Sequence, residues 1–259
     1  MAPALFVDTG SPVHRLNPVT KLVALLSILV IVFALPQWWT SAIVVVAILV
    51  PAAIVARRAR ALAGIGGRIL LPIVLVLVLV QGFTFPGGRT VVWQWGALSL
   101  TAEGLTFALN TGARIVALVL ASVLLVVTTH PGDLMSALTE HGLSPKFSYI
   151  ISSTLQLIPS FRTRADGILL AQQARGLAIP RSPLRRVRVM LPLLGPLVLG
   201  MFTDVEERGT AMEARGFGST VRRTALEAVP DSPGQRLARW LMAALAAAAV
   251  VVPLVQELL

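Results

Sequence analysis

Long apolar runs separated by short charged segments are the main pattern of this chain. Several runs are shorter than the ~20 residues that cross a bilayer core, so we expect their flanks to complete the spans. An open strand would leave backbone groups unpaired in lipid, and no alternating pattern of a membrane barrel occurs, so helices are predicted. The runs are 22–35, 41–56, 69–85, 104–129 and 240–255.

The loops between these runs differ in charge, and this difference predicts an orientation. Basic residues precede the first run and follow the second, whereas the turn around Trp38 and Trp39 has none and the third loop has only Arg89. Because cytoplasmic loops carry the excess of lysine and arginine, we expect the N-terminus in the cytoplasm and the tryptophans at the outer interface. The outer loop FPGGRTVVWQWGALSLTAEG has Gly-Gly between short strand-like pieces, which indicates a small hairpin.

Basic residues become much more frequent between His130 and Arg239. Lys146 and thirteen arginines surround two apolar segments there, FSYIISSTLQLIPSF and VMLPLLGPLVLGMF. If either piece crossed the membrane alone, it would leave an arginine cluster outside. We therefore predict helices on the cytoplasmic side, with the apolar pieces in the interface or part-way into the bundle. The predicted divisions are a four-helix membrane region at 1–129, a cytoplasmic-side coupling region at 130–237 and a final membrane helix at 238–259, which ends outside.

Composition supports a membrane protein and not a nucleic-acid-binding protein. The chain is 56% hydrophobic with a mean hydropathy of +0.81. Its formal charge of +10 comes from residues between apolar runs, not from a basic face with interleaved aromatic residues. The chain has no cysteine, which excludes disulfides and thiolate metal sites. The fold class expected is an all-α polytopic membrane protein with about five transmembrane helices and long amphipathic helices on the cytoplasmic side.

The tripeptide Ala-Arg-Gly occurs twice, and its arginines, Arg175 and Arg215, are forty positions apart. The first copy is predicted to end a helix that begins after Pro159, and the second to end a helix that stops at Gly216 or Gly218. An arginine before a capping glycine can simply complement the helix dipole. Two copies in one region also suit two-point docking, because each guanidinium can grip a carboxylate with two hydrogen bonds.

At these residues the chain resembles the transmembrane T component (EcfT) of energy-coupling factor transporters, related to the Q-type permease subunits of cobalt uptake systems. The resemblance rests on SPVHRLNPVTKL (11–22), the segment 103–146, LQLIPSF before AQQARG, and LPLLGPLVLGMFTDVEERGTAMEARGFG (191–218), in that order. It implies a plasma-membrane subunit whose two coupling helices dock into two ABC-type ATPase subunits and act on a small substrate-binding membrane S component, for uptake of vitamins or metal ions. The implied docking residues are Ala174, Arg175, Gly176, Ala214, Arg215 and Gly216.

The sequence contains no visible catalytic machinery. A Walker A motif ends in Gly-Lys-Ser/Thr, but Lys21 and Lys146 follow Thr20 and Pro145, so ATP is expected to be bound by partner subunits and no cofactor by this chain. The histidines have no metal-binding spacing. One alternative is a membrane enzyme that holds phosphorylated lipid-linked substrates with its arginines.

Arg114 is the one charge expected well inside a membrane span, with Asn110 one turn earlier. Intramembrane charges are costly, so either a structural pairing, with Asn110 as the local candidate, or a role in transport is open. Prolines inside the apolar pieces predict kinks, which can also be hinges: Pro51, Pro72, Pro192 and Pro196.

Overall fold

The computed structural model describes residues 10–86, 88–95, 98–177, 183–219 and 230–258. The chain divides into two compact units, Met1–Ala137 with Val229–Leu259, and Leu138–Ala228. The described elements are helices α1 (Pro18–Ala34), α2 (Trp38–Val55), α3 (Ala59–Thr84), strands β1 (Val91–Trp95) and β2 (Leu98–Thr101), and helices α4 (Ala102–Thr128), α5 (Pro131–Glu140), α6 (Pro145–Ala174), α7 (Pro183–Ala214) and α8 (Pro233–Leu258).

The predicted fold class, an all-α membrane protein with about five spans, is confirmed. Four helices are long and apolar enough to cross a bilayer: α2, α3, α4 and Pro233–Pro253 of α8. Helix α1 is apolar and has 17 residues, slightly fewer than a full span. In the described part of the chain, α6 and α7 are longer than these spans but do not combine length with sufficient apolarity.

The core of the first unit lies where α1, α2 and α4 meet. Val32 and Leu49 are almost fully buried there, and Ala117 lets the backbones approach because its side chain is small. The outward side chains of α3, such as Leu79 and Val80, are about half exposed. Lipid tails are as apolar as these side chains, so their exposure costs nothing in a bilayer.

Two of the predicted proline kinks coincide with wider helical turns. Helix α2 is π-helical at Val44–Leu49, just before Pro51, and α3 is π-helical at Gly66–Leu70, just before Pro72. Proline has no N–H and crowds the carbonyl four residues earlier, so a locally wider turn accommodates it without ending the helix.

The prediction that a helix begins after Pro159 is wrong. Helix α6 begins at Pro145 and continues through Pro159 to Ala174. A proline costs one backbone hydrogen bond, whereas ending the helix there would forfeit several. The Thr163 hydroxyl donates to the Pro159 carbonyl at 3.1 Å within the turn that follows the proline. Helix α7 likewise runs through Pro192 and Pro196.

The predicted hairpin is confirmed by the antiparallel pair β1 and β2, in which Trp93 lies opposite Leu100. Gly87 of its Gly-Gly pair lies outside the described residues. The Thr90 hydroxyl donates to Glu103 at 2.6 Å, which ties the hairpin to the first turn of α4.

A polar cluster joins the start of α1 to the start of α8. The Asn17 side chain is fully buried; it caps α1 by accepting from the Val19 N–H at 2.9 Å, while its backbone N–H donates to Gln235. Arg239 donates to both carboxylate oxygens of Asp231 at 2.9 Å, and its Nη1 also donates to the Thr20 hydroxyl. The Arg239 hydrogen bonds lower the pKa of Asp231 to about 2, so this carboxylate stays charged at neutral pH.

Gly104 lies where α4 passes the end of α3. Thr101 caps α4, because its Oγ1 accepts from the Gly104 N–H at 3.3 Å and donates to the Gly82 carbonyl at 3.4 Å. A Cβ on Gly104 would overlap the backbone carbonyl oxygen of Gln81. The two helices can therefore meet only if this position lacks a side chain.

We predict that Gly104→Ala destabilises the protein by about 1–3 kcal/mol, the usual range for overpacking, because a helix backbone must move to admit the methyl group. A thermal melt of the purified protein in detergent measures the change. Gly64→Ala is the matched control, since a Cβ at Gly64 in α3 meets nothing within 4 Å. Equal melting temperatures for the two variants would contradict this packing argument.

Candidate functional site

The first Ala-Arg-Gly copy forms a tight helix end. The Gly176 N–H donates to the Gln173 carbonyl at 2.9 Å, and the Leu177 N–H donates to the Gln172 carbonyl at 3.0 Å. Gly176 has a φ of +94°, in the left-handed region that favours glycine. This pair of hydrogen bonds defines a Schellman motif, with Arg175 as the last residue before the reversal.

The second copy repeats this geometry forty residues later. The Gly216 N–H donates to the Glu213 carbonyl at 2.9 Å, the Phe217 N–H donates to the Met212 carbonyl at 2.9 Å, and Gly216 has a φ of +68°. Of the two glycines predicted to end this helix, the structure uses Gly216, since α7 stops at Ala214.

Both arginine side chains are exposed at these ends. Within the described residues, neither Arg175 nor Arg215 makes an ion pair or a side-chain hydrogen bond. Ala174 and Gly176 adjoin Arg175 in the chain, and Ala214 and Gly216 adjoin Arg215, so each arginine has only small residues directly beside it in sequence. Each helix end therefore presents five N–H donors on a narrow, accessible tip.

An ion pair joins α6 to α7 at residues that are also forty positions apart. Arg164 Nη2 lies 2.9 Å from Asp204 Oδ2 and donates to Oδ1 at 3.1 Å, and both side chains are about one-third exposed. Gly200 leaves room for the guanidinium, because a Cβ there would lie 3.0 Å from Arg164 Nη1. Asp204 thus pairs with Arg164 of the other helix and not with Arg208, although the i, i+4 spacing of Asp204 and Arg208 on α7 would favour that pair.

Thr163 and Thr203 are also forty positions apart, and each donates to the carbonyl four residues earlier, as helical threonines elsewhere in the chain do. Arg175 follows Arg164, and Arg215 follows Asp204, by eleven residues, which is about 16 Å along a helix.

An aromatic contact fixes the end of α7. Phe217, directly after Gly216, packs on Tyr149 of α6 with ring centroids 5.2 Å apart. Tilted aromatic pairs at this separation stabilise by about 0.5–1.5 kcal/mol beyond their buried area. The Arg215 tip is therefore held by its own helix cap and by the neighbouring helix.

Apolar side chains cover the parts of α6 and α7 that precede the arginine ends. They are exposed by about 40–70%, which is unusual outside lipid or a protein interface. These residues are Phe147, Ile150, Ile151, Leu155 and Ile158 on α6, and Val198, Leu199, Phe202 and Val205 on α7.

Arg114 does not pair with Asn110. Its guanidinium carbon lies 5.8 Å from the ring centroid of Phe33, in the last turn of α1. Asn110 Oδ1 is buried and has no hydrogen-bond partner among the described residues. Because Phe33 belongs to the last turn of α1, the Arg114 guanidinium lies beside the end of that helix.

No group of three potential metal ligands occurs among the residues that the structure describes. Two of the histidines make local hydrogen bonds. His14 shares a hydrogen bond of 2.7 Å with Ser11, and His130 Nδ1 accepts from the Gly132 N–H at 3.1 Å.

The chain matches known transporter components over most of its length. Residues 9–226 match the family described as CbiQ, cobalt transport protein. A protein named energy-coupling factor transporter transmembrane protein EcfT from Limosilactobacillus fermentum is 33% identical over 229 residues, which cover 85% of each chain. A protein of the same name from Lacticaseibacillus paracasei is 32% identical over 236 residues. The protein named EcfT 1 from Listeria monocytogenes is 28% identical over 256 residues, which cover 95% of each chain.

We predict that Gly216→Ala weakens the end of α7, since a side chain costs about 1–2 kcal/mol in the left-handed conformation. Hydrogen exchange of the peptide containing Arg215 to Phe217 should become faster. Gly209→Ala, in the same helix and with nothing within 4 Å of its Cβ, should leave that exchange unchanged. Unaltered exchange in Gly216→Ala would show that the cap does not depend on glycine.

Proposed function

The chain belongs to the CbiQ family of cobalt transport proteins and is a non-enzymatic, multi-pass membrane component of an energy-coupling factor transporter; we propose that it couples ATP-driven motion to substrate uptake through α6 and α7. Its named relatives are transporter components, so the alternative of an enzyme acting on lipid-linked phosphates does not hold. In this proposal Arg175 and Arg215 dock into two ABC-type ATPase subunits.

The observation that carries the proposal is the pair of matching helix ends. The same Schellman hydrogen bonds, the same exposed arginine and the same small neighbours occur twice at an offset of forty residues. A dipole-complementing arginine at one helix end would not need a matching copy at a second helix end. Two equivalent tips suit two equivalent partner subunits, and the missing Walker A lysine assigns ATP to those partners.

Each tip can enter a groove and bind a carboxylate. The arginine fork offers two parallel N–H···O bonds to a carboxylate, and the flanking alanine and glycine let the partner backbone come close. A charge-assisted, two-point contact resists both pulling and twisting. The docking sites in this proposal are Ala174, Arg175 and Gly176 for one partner and Ala214, Arg215 and Gly216 for the other.

The ion pair of Arg164 with Asp204 gives the two helices a common contact. When the ATPase subunits approach or separate, both tips move, and α6 and α7 move with them. The exposed apolar side chains on α6 and α7 then act on a small substrate-binding membrane S component. The cargo class, vitamins or metal ions, belongs to that subunit.

The membrane placement is also part of the proposal. We place the chain in the plasma membrane with a cytoplasmic N-terminus, a four-helix region at 1–129, a coupling region on the cytoplasmic side at 130–237 and the final span at 238–259. The arginine-rich loop after α2 and the tryptophan-containing hairpin between α3 and α4 support this orientation.

The double variant Arg175→Glu with Arg215→Glu should abolish assembly with the ATPase subunits, because each tip would present a carboxylate to a carboxylate. Co-purification with tagged ATPase subunits and ATP-dependent uptake of substrate in cells measure the loss. Each single variant should retain partial assembly through the other tip.

The matched control is Arg162→Glu with Arg208→Glu, which makes the same charge change on exposed arginines of the same helices, away from their ends. This control should assemble and transport like the wild type. Full uptake by the Arg175/Arg215 double variant would refute the docking role, whereas equal loss in both double variants would indicate a general charge effect.

The proposed orientation is testable because the chain has no cysteine of its own. Single variants Arg89→Cys and Arg60→Cys place one thiol just before the hairpin strand β1 and one in the first turn of α3, both at exposed positions. A membrane-impermeant maleimide should label Arg89→Cys in intact cells and Arg60→Cys only after permeabilisation. The reverse labelling would place the N-terminus outside.

A further inference from the structure

A cleft of about 570 Å³ opens in the first unit among α1, α2, α4 and α8. It is several times larger than the ~150 Å³ cavity that holds a benzene molecule. Its walls are almost entirely apolar and include Ile28, Leu49, Ala121 and Met242. The half-exposed Ile48 lies at its edge, so the cleft is not sealed.

The polar groups of the cleft are gathered at one end. Lys21 Nζ donates to the Thr128 carbonyl at 2.7 Å, and the Thr20 hydroxyl donates to Gln235 Oε1 at 3.4 Å, so these four lining residues lie together. Ile28, Ala121 and Met242 lie seven residues further along their helices, which is about 10 Å deeper. The cleft is therefore amphipathic, with a polar mouth and an apolar interior.

The polar end carries an excess of positive charge. Lys21 also donates to the His14 carbonyl at 3.2 Å, beside the exposed Arg15, and Arg239 donates to Thr20. Arg236 and Arg239 share a single carboxylate, that of Asp231. Among the described residues of this end, Lys21 lines the cleft, Arg239 contacts the lining residue Thr20, and these two cations together with Arg236 outnumber the Asp231 carboxylate.

The wall of α2 at this cleft is the π-helical turn. Leu49 and Ile48 belong to the π-helical stretch Val44–Leu49, and Ala52 follows Pro51. Such π turns are frequent at functional sites, because they displace side chains from the regular helical positions. Here the displaced turn borders the apolar part of the cleft.

We propose that this cleft binds one anionic phospholipid, with an acyl chain between α1, α2, α4 and α8 and its phosphate at the Lys21 end. The site goes beyond the coupling function, which uses α6 and α7. The interior matches a hydrocarbon chain, and basic pockets between membrane helices are known to hold anionic headgroups.

Native mass spectrometry of the full chain, released from nanodiscs of mixed phosphatidylglycerol and phosphatidylcholine, tests the proposal. The wild type should retain one phosphatidylglycerol. Lys21→Gln should lower that retention about fivefold, the effect of one basic residue near an anionic surface, while Lys21→Arg restores it. Ala52→Phe, whose side chain fills the interior of the cleft, should abolish retention of both phosphatidylglycerol and phosphatidylcholine.

Ala47→Phe is the matched control, because Ala47 is exposed on the same helix and does not line the cleft. It should bind lipid like the wild type. If Ala52→Phe fails to fold, Ala238→Phe blocks the cleft from α8. Unchanged phosphatidylglycerol retention in Lys21→Gln and in the folded filling variant would overturn the proposal.

Inorganic phosphate separates a lipid headgroup site from a simple phosphate site. In the proposed site, millimolar phosphate does not displace the retained lipid, because the acyl chain contributes most of the binding. Displacement by phosphate, together with unchanged lipid binding in the filling variant, would show that the polar end of the cleft binds free phosphate. That result would refute the lipid-binding proposal.

Discussion

The membrane part of this structure depends on one constraint: in lipid, each backbone N–H and C=O must find its partner within the protein. This constraint makes the apolar runs helical although many of them are rich in valine and isoleucine. It also explains how α2 and α3 accommodate Pro51 and Pro72, since a π-helical turn before each proline keeps the chain helical. At the helix ends, side chains supply hydrogen-bond partners for backbone groups that have none within the helix. Asn17 caps α1, Thr101 caps α4, and Lys21 donates to the last carbonyl of α4.

The same constraint concentrates polar interactions at the helix ends and leaves packing to small residues. Gly104 and Ala117 let α4 approach its neighbours, whereas large aliphatic side chains face lipid. The polar cluster of Asp231, Arg239 and Thr20 then holds α8 beside α1, although these helices lie far apart in sequence. Such a charge pair is effective here because its side chains are about 15% exposed and its geometry is bidentate.

The sequence predicts the structural features that hydrophobic periodicity and local chemistry determine. The five apolar runs, the hairpin and the capping role of Gly176 and Gly216 all follow from patterns within a few residues. Prediction from the sequence fails where a contact between residues distant in the chain determines the structure. The helix through Pro159 persists because its other hydrogen bonds outweigh one lost donor, and Asp204 prefers Arg164 of the neighbouring helix to Arg208. The forty-residue offset of Arg164 and Asp204 was a visible signal for this pair, since it equals the offset of Arg175 and Arg215.

In the proposed coupling function, α6 and α7 carry force from their arginine ends. An ion pair with one-third of each side chain exposed contributes only about 0–1 kcal/mol, so it cannot clamp α6 and α7 rigidly. Tyr149 and Phe217 add a second contact, between the start of α6 and the residue that follows Gly216 at the end of α7. Each arginine end also has a Schellman cap of its own. In the proposed mechanism, these caps let a docked partner move each helix as a whole, and the weak ion pair between the helices opposes that movement little.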